Sequence, residues 1–262
     1  MFKKAIVFIM ILAMAVACFA GCGSKALTVE SVQKAGKLVI GTSPDFPPFE
    51  MLDNSGNVIG IEIEIMELIC QELGVQLEIK TMDFDSVLPG VQTGKFNVGV
   101  SGISVTPARE KNTLFTTPYC LAAQAIVVTS GSPITCKADL AGKTVSVQTG
   151  TTAEEFCMSN GYDVKAFAAN ADAEAALTVG KVDAWVIDDL TAAEMVASYN
   201  EDHPDAPLVI LSEAMTTEPY AFAFAQGNEE LVAKIDEILK GLLADGTIAK
   251  IFEEYNAPYT AP

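Results

Sequence analysis

Asn97-Val98-Gly99-Val100-Ser101-Gly102-Ile103-Ser104-Val105-Thr106-Pro107-Ala108-Arg109 reads as a buried strand running into a small-residue turn and then a capped helix. Val98, Val100 and Ile103 are apolar and β-branched, while Ser101, Gly102 and Ser104 let a ligand approach the backbone closely. Thr106 before Pro107 is an N-cap with proline at the first helical position. Arg109 then falls in the first turn, within reach of the Ser101 to Ser104 backbone, where its planar fork of donors suits a carboxylate. Taken alone, the stretch is equally readable as ordinary turn formers before a solvated surface arginine.

Outward from this turn, the chain alternates helices with short β-branched runs. Ile61, Ile65, Leu68, Ile69 and Leu73 make one stripe of a helix over 62–73 that stops at Gly74. Strands are expected at 38–41 and 75–80, and Asp85 is read as the cap of a helix ending at Gly94. Prolines at 47 and 48 deny helix to the Phe46-Pro47-Pro48-Phe49 loop and stiffen it. The second half repeats this grammar: 35–40 is echoed by Ala141-Gly142-Lys143-Thr144-Val145-Ser146, and 94–100 by Gly180-Lys181-Val182-Asp183-Ala184-Trp185-Val186. The order is kept but the spacing is not, so two lobes of one βα type are expected rather than a solenoid. Such alternation predicts mostly parallel sheets covered by helices on both faces.

In open α/β sheets, ligands bind beyond the carboxyl ends of the strands. Ser43, Ser101, Gln148 and Asp188 each follow an expected strand end, two in each half, so a cleft between lobes receives groups from both. Crossings between lobes are placed near Tyr119 to Ala125 and near Glu218 to Phe222, with the acidic, proline-containing run 201–219 read as the return linker. Two amphipathic segments, 228–243 and 248–255, are expected to pack back on the first lobe. Thr151 and Glu154 have capping-box spacing, which puts a helix N-terminus and its free N–H groups at Thr151-Thr152. Asp188-Asp189-Leu190-Thr191 also reads as a helix start, so a capping role for Asp188 stays open beside a binding one.

With 262 residues and 50% hydrophobic content the chain supports two modest cores. Its formal charge of −18 argues against a nucleic-acid partner, which needs a basic footprint. The N-terminus reads as a targeting segment: Lys3-Lys4 is the charged region and 5–17 an apolar core shorter than a membrane span. Phe19-Ala20-Gly21-Cys22-Gly23-Ser24 resembles a bacterial lipobox, with Cys22 as the lipidated first residue of the mature protein and 22–30 as a tether. Cys18 is the competing reading, but it leaves Phe19 at the mature end without a polar tether. The other four cysteines lack any CxxC spacing, so neither zinc nor any other metal or cofactor is expected. Cys70 is read as a core residue, and pairing of Cys136 with Cys157 is left open.

Gly41-Thr42-Ser43-Pro44-Asp45-Phe46-Pro47-Pro48-Phe49-Glu50, Phe84, Ser101 through Arg109, Gln148-Thr149-Gly150-Thr151-Thr152 and Asp183-Ala184-Trp185-Val186-Ile187-Asp188-Asp189 occur in one order over 31–255. In that order they resemble the polar amino-acid-binding family of extracytoplasmic solute-binding proteins, the receptors of ABC importers. The resemblance implies an α/β, two-lobed periplasmic-binding-protein-like (type II) fold with a two-strand hinge. It divides the chain into a lipoprotein signal peptide at 1–21, lobe 1 at 31–121 plus 220–262, and lobe 2 at 122–219. It implies a monomer that is no enzyme, lipid-anchored on the outer face of the membrane, binding a free amino acid and serving an ABC permease. By the resemblance, Arg109 and Thr152 take the ligand carboxylate. Asp188, Ser104 and the backbone near Gly102 take the ammonium, and Phe46 and Phe84 are the walls. Ser43 stands where several basic amino-acid receptors carry aspartate, and Gln148 where some glutamine receptors carry lysine. This makes the far end of the pocket polar but neutral, suited to an uncharged or arginine-like ligand. Some relatives of this fold are dehydratases of prephenate-like acids, so an enzyme is the alternative. It needs a positioned acid or base, and the single histidine, His203, falls in the expected linker.

Overall fold

Thr28 opens the first helix with a reciprocal cap: its hydroxyl accepts from the Ser31 N–H, and Gly36 ends the helix in the left-handed conformation. The structure is a computed structural model describing residues 26–213 and 215–262; the signal segment, Cys18 and Cys22 lie outside the described residues. After α1 (Val29–Ala35) come β1 (Lys37–Thr42), a small sheet of β2 (Asp45–Phe46), β3 (Glu50–Leu52) and β4 (Val58–Ile59), then α2 (Ile61–Leu73) and β5 (Gln76–Thr81). Next are α3 (Val87–Gln92), β6 (Val98–Gly99), α4 (Pro107–Glu110) and β7 (Thr113–Phe115). Asp85 caps nothing: the chain coils at Asp83, and Asp85 lies inside a 3-10 turn, Phe84–Ser86.

β8 (Cys120–Ala122) then carries the chain into β9 (Gln124–Thr129), β10 (Thr144–Gln148), α5 (Thr152–Ser159), β11 (Asp163–Phe167), α6 (Asn170–Thr178), β12 (Ala184–Asp188), α7 (Asp189–Asp202) and β13 (Leu208–Ile210). The return runs through β14 (Glu218–Tyr220) to β15 (Ala223–Ala225), α8 (Glu229–Ala244) and α9 (Thr247–Glu254). The run 201–219 is therefore not all linker. α7 continues to Asp202 with His203 at its end, and Leu208–Ile210 joins a sheet, because Leu208 is buried and its backbone pairs with Thr129.

The two five-stranded sheets have the same plan. Strand order is β5-β1-β6-β15-β7 in one lobe and β11-β10-β12-β9-β13 in the other, each with its fourth strand antiparallel to the rest. The echoed segments occupy equivalent places: β1 and β10 are second, β6 and β12 third. The glycines that lead into them, Gly36 and Gly142, Gly94 and Gly180, all have φ between 71° and 73°. Those fourth strands are the ones that enter from the two-stranded ribbon of β8 with β14, where Tyr220 pairs with Cys120.

Central strands buried on both faces read as apolar runs rather than alternations. In β9, Ile126 and Val128 face one core with Leu140, Val145 and Cys157, while Ala125 and Val127 belong to another with Trp185. That second core runs on through Tyr119, Tyr220 and Phe222 beside the ribbon into the first lobe, where Leu231, Ile235, Leu239 and Phe252 of α8 and α9 join it. Cys70, Cys120, Cys136 and Cys157 are all free thiols.

Candidate functional site

Between the lobes lies a cavity of about 20 Å³ lined by Phe46, Phe84, Ser101, Gly102, Ser104 and Arg109 from one side and Gln148, Thr151, Thr152 and Asp188 from the other. A second of similar size adjoins it, sharing Phe46, Gln148, Thr151 and Asp188 and adding Gln124, Asn170 and Ile187. Nine of the ten expected pocket residues thus converge. Ser43 does not line either cavity, because its hydroxyl donates to the Asp45 carboxylate at 2.8 Å. The small volumes match a closed arrangement, in which a Cβ on Gly150 of the second lobe would stand 3.0 Å from Asp85 Cβ of the first.

Arg109 reaches the cavity as its local sequence dictates. The Thr106 hydroxyl accepts from the Arg109 N–H at 3.2 Å, holding a single-turn helix, and the side chain folds back so that Nη1 donates to the Ser104 carbonyl at 2.9 Å. Nη2 donates across the cleft to the Gly150 carbonyl at 3.1 Å, and the guanidinium lies 5.7 Å from the centre of the Phe84 ring. Burial pulls its pKa down, and the charges of Glu218 and Asp188 oppose that.

Opposite, the Thr151 hydroxyl accepts from the Glu154 N–H while the Glu154 carboxylate accepts from Gly150 N–H at 2.7 Å. The cap satisfies one first-turn donor of α5, and the N–H groups of Thr152 and Ala153 remain at the helix's positive end beside the cavity. Asp188 occupies a cap position but makes no capping bond. Its oxygens accept from Gln124 Nε2 and the Tyr220 hydroxyl instead. Burial pushes its pKa up to about 8, with Glu218 adding to the rise and Tyr220 and Arg109 opposing it.

Phe46 stacks on Phe49 with ring centroids 5.7 Å apart, and its outer edge is matched to Gly102. A Cβ at position 102 would fall 2.5 Å from that ring, and φ is +53°, so both space and conformation require glycine there. The Gly102 N–H donates to Glu62 at 2.9 Å, and the Ser101 hydroxyl donates to Glu50 at 2.9 Å while accepting from Ser43 N–H. Glu50 and Glu62, both fully buried, lie together behind this turn, and among the described residues no donor reaches Glu50 Oε2. Glu62 accepts from Tyr119 and Gly102 on its two oxygens, which favours the charge there and the proton on Glu50. Burial, then the Glu62 charge, holds the Glu50 pKa well above the usual range.

A carboxyl whose pKa is raised on folding stabilises the fold below its unfolded value of about 4.3, and that contribution fades as pH rises toward the folded value. Between mildly acidic and alkaline pH the unfolding free energy is therefore expected to fall by at most about 1.4 kcal/mol per pH unit from this group, and the melting temperature with it. Glu50→Gln, whose amide donates permanently, is expected to flatten that decline. Identical melting profiles of the two proteins across pH would refute the proton on Glu50.

Sequence reading did not find Asp45, Gln124, Asn170, Tyr220 or the role of Glu62. Asn170 follows the end of β11, so the strand-end rule reaches it, whereas Gln124 and Tyr220 lie on the crossings and carry no local signal. The Asp45 carboxylate sits 3.0 Å from Gln148 Nε2 but lines neither cavity.

The family model of bacterial extracellular solute-binding proteins, family 3, matches residues 38–258. L-cystine-binding protein TcyJ of Escherichia coli (strain K12) is 29% identical over 250 residues, 92% of each chain. Among solved structures, the P235GK mutant of ArgBP from T. maritima superposes with a TM-score of 0.80 at 35% identity, covering 88% of this chain and 99% of that one. The ancestral amino acid-binding protein AncCDT-1, a precursor of cyclohexadienyl dehydratase, superposes at 0.78 with 32% identity, covering 87% and 98%.

Proposed function

Because the chain belongs to the bacterial extracellular solute-binding proteins, family 3, we propose that it captures a free polar amino acid between its lobes and delivers it to the permease of an ABC importer. The observation that carries this reading is the pairing in one interlobe cavity of a cationic fork, Arg109, with a buried carboxylate, Asp188, and a helix N-terminus. A zwitterion needs that set. Arg109, Thr152 and the first-turn N–H groups of α5 take its carboxylate. Asp188, the Ser104 hydroxyl and the Gly102 carbonyl take its ammonium. Phe46 and Phe84 cover its flanks. The side chain points toward Gln148, Asn170 and Gln124, a polar end that suits long polar side chains such as those in the names of the cystine- and arginine-binding relatives.

In this reading lobe 1 is 31–121 with 220–262 and lobe 2 is 122–219, and the protein acts without catalysis, as a monomer. It works outside the cytoplasm, held to the membrane by a lipid on Cys22. Among the described residues no helix is long and apolar enough to cross a membrane. Incorporation of labelled fatty acid is expected in the wild type and not in Cys22→Ala; labelling that persists would move the anchor to Cys18.

A thermal-shift panel of the domain lacking 1–22, against the common amino acids, L-cystine and prephenate, tests the function. A compound that binds only the folded state stabilises it by about 2.7 kcal/mol at a hundredfold excess over its Kd. At roughly 2–4 °C per kcal/mol for chains of this size, that is a rise of several degrees. A rise with one or a few amino acids is expected. Silence toward all of them, with turnover of prephenate, would overturn the receptor reading in favour of a dehydratase.

A further inference from the structure

A second set of polar contacts crosses the cleft beside the zwitterion site, centred on Asp45, which lines neither cavity. Asp45 belongs to β2 of the first lobe, and α6 of the second lobe begins opposite it. The residue at the cap position of α6 is Ala169, which has no side-chain acceptor, so this nine-residue helix lacks a cap of its own. Asp45 supplies the missing acceptor from the other lobe: Oδ2 accepts from the Asn170 N–H at 2.9 Å and from Gln148 Nε2 at 3.0 Å. The Asp45 carbonyl accepts from Asn170 Nδ2 at 3.4 Å, and the Ser43 hydroxyl fixes Oδ1 at 2.8 Å. Asn170 Nδ2 also donates to Gln148 Oε1 at 3.1 Å, so the two amides and the carboxylate form one network in which Asn170 and Gln148 are buried. A carboxylate at a helix's positive end, receiving charge-assisted bonds, is a favourable contact that exists only when the lobes are together.

We propose that Asp45 is a closure latch: by capping α6 across the cleft it stabilises the closed arrangement independently of ligand and so sets how tightly an amino acid is held. The latch acts on a two-state equilibrium between open and closed lobes. Apparent affinity scales with the fraction of unliganded protein that is already competent, and a latch that raises this fraction raises affinity without touching the ligand. The consequence for affinity rests on the amino-acid receptor reading; the latch itself does not. The assignment also accounts for Ser43, whose hydroxyl is spent on holding the latch rather than on the cavity, and it ties Gln148, which lines the cavity, to the same network.

Small-angle scattering of the unliganded protein decides the matter without any ligand. Asp45→Ala is expected to shift the distance distribution toward the open form, with a larger radius of gyration than the wild type, while melting stays cooperative. Asp45→Asn, which keeps one acceptor oxygen and loses the charge, is expected to fall between them. In titrations with L-arginine and L-cystine, any binding seen in the wild type is expected to weaken about tenfold in Asp45→Ala, chiefly through faster dissociation. Superimposable scattering of Asp45→Ala and wild type overturns the latch, and so does opening without loss of affinity. If neither these two nor any other amino acid binds the wild type, the receptor reading fails, and the scattering comparison still judges the latch.

Discussion

Arg109→Ala is expected to remove amino-acid binding while leaving the fold intact. Among the described residues the guanidinium is the one cation lining the cavity, and it is poised there by its bonds to the Ser104 and Gly150 carbonyls and its seat over Phe84. A ligand carboxylate left without that partner is buried beside Asp188, so the loss includes an uncompensated charge as well as two donors. Truncating one member of such a pair costs roughly 2–5 kcal/mol, and about 3 kcal/mol corresponds to a loss of two orders of magnitude in affinity. The unliganded protein is expected to melt close to the wild type, since the side chain is only half-buried and the Thr106 cap uses the Arg109 backbone. Arg109→Lys keeps the charge as a point and gives up the fork, so it is expected to bind with intermediate strength. Calorimetric titration separates the three proteins. Undiminished affinity in Arg109→Ala would end the assignment of the carboxylate to this residue.

Asp188→Asn is expected to have the second largest effect, with opposite signs in the free and bound protein. Burial raises the Asp188 pKa to about 8, against an unfolded value of about 3.9. Its contribution to stability is therefore present below about pH 4 and is lost as pH climbs through 8. The neutral amide avoids that loss, so near pH 8 the unliganded variant is expected to melt at or above the wild type. An ammonium group beside the carboxylate does the reverse, favouring the charged form and driving off the proton. The wild type should thus release protons when an amino acid binds at neutral pH, visible as binding heats that vary with the ionisation enthalpy of the buffer. The variant should release none from this site and bind on the order of a hundredfold more weakly. Buffer-independent heats in the wild type, or full affinity in the variant, would exclude Asp188 as the ammonium partner.

How much of this was readable in advance follows from the range of each interaction. Thr106-Pro107, Thr151 with Glu154, and the α2 stripe ending at Gly74 are local codes, and each was found where its spacing put it. The echo of 35–40 in 141–146 exposed two equivalent βα units, because equal positions in equal sheets demand the same glycine-led entry. Ser43 stands off the two cavities for the opposite reason. Its place at a strand end is local information, but its hydroxyl answers to Asp45, which in turn answers to Asn170 and Gln148 in the other lobe. Glu50 gives no local sign of its role, because Glu62, the carboxylate that raises its pKa, is brought to it only by the packing of α2. Groups whose partners lie in the other lobe, or on the crossing strands, leave no spacing to read.

The antiparallel fourth strands also dictate an order of assembly. The second lobe is one continuous stretch of chain, and β9, the strand that completes its sheet from within, arrives first. The first lobe is different, since β15 must slide between β6 and β7, and Phe115 waits for Ala223 before its backbone is paired. Contacts so distant along the chain close slowly. A chain emerging from the ribosome therefore has no strand to join β6 to β7 until nearly its end has been made. The first lobe is thus the last to be completed, and the chain can lock into its two-lobed form only once β15 has been made.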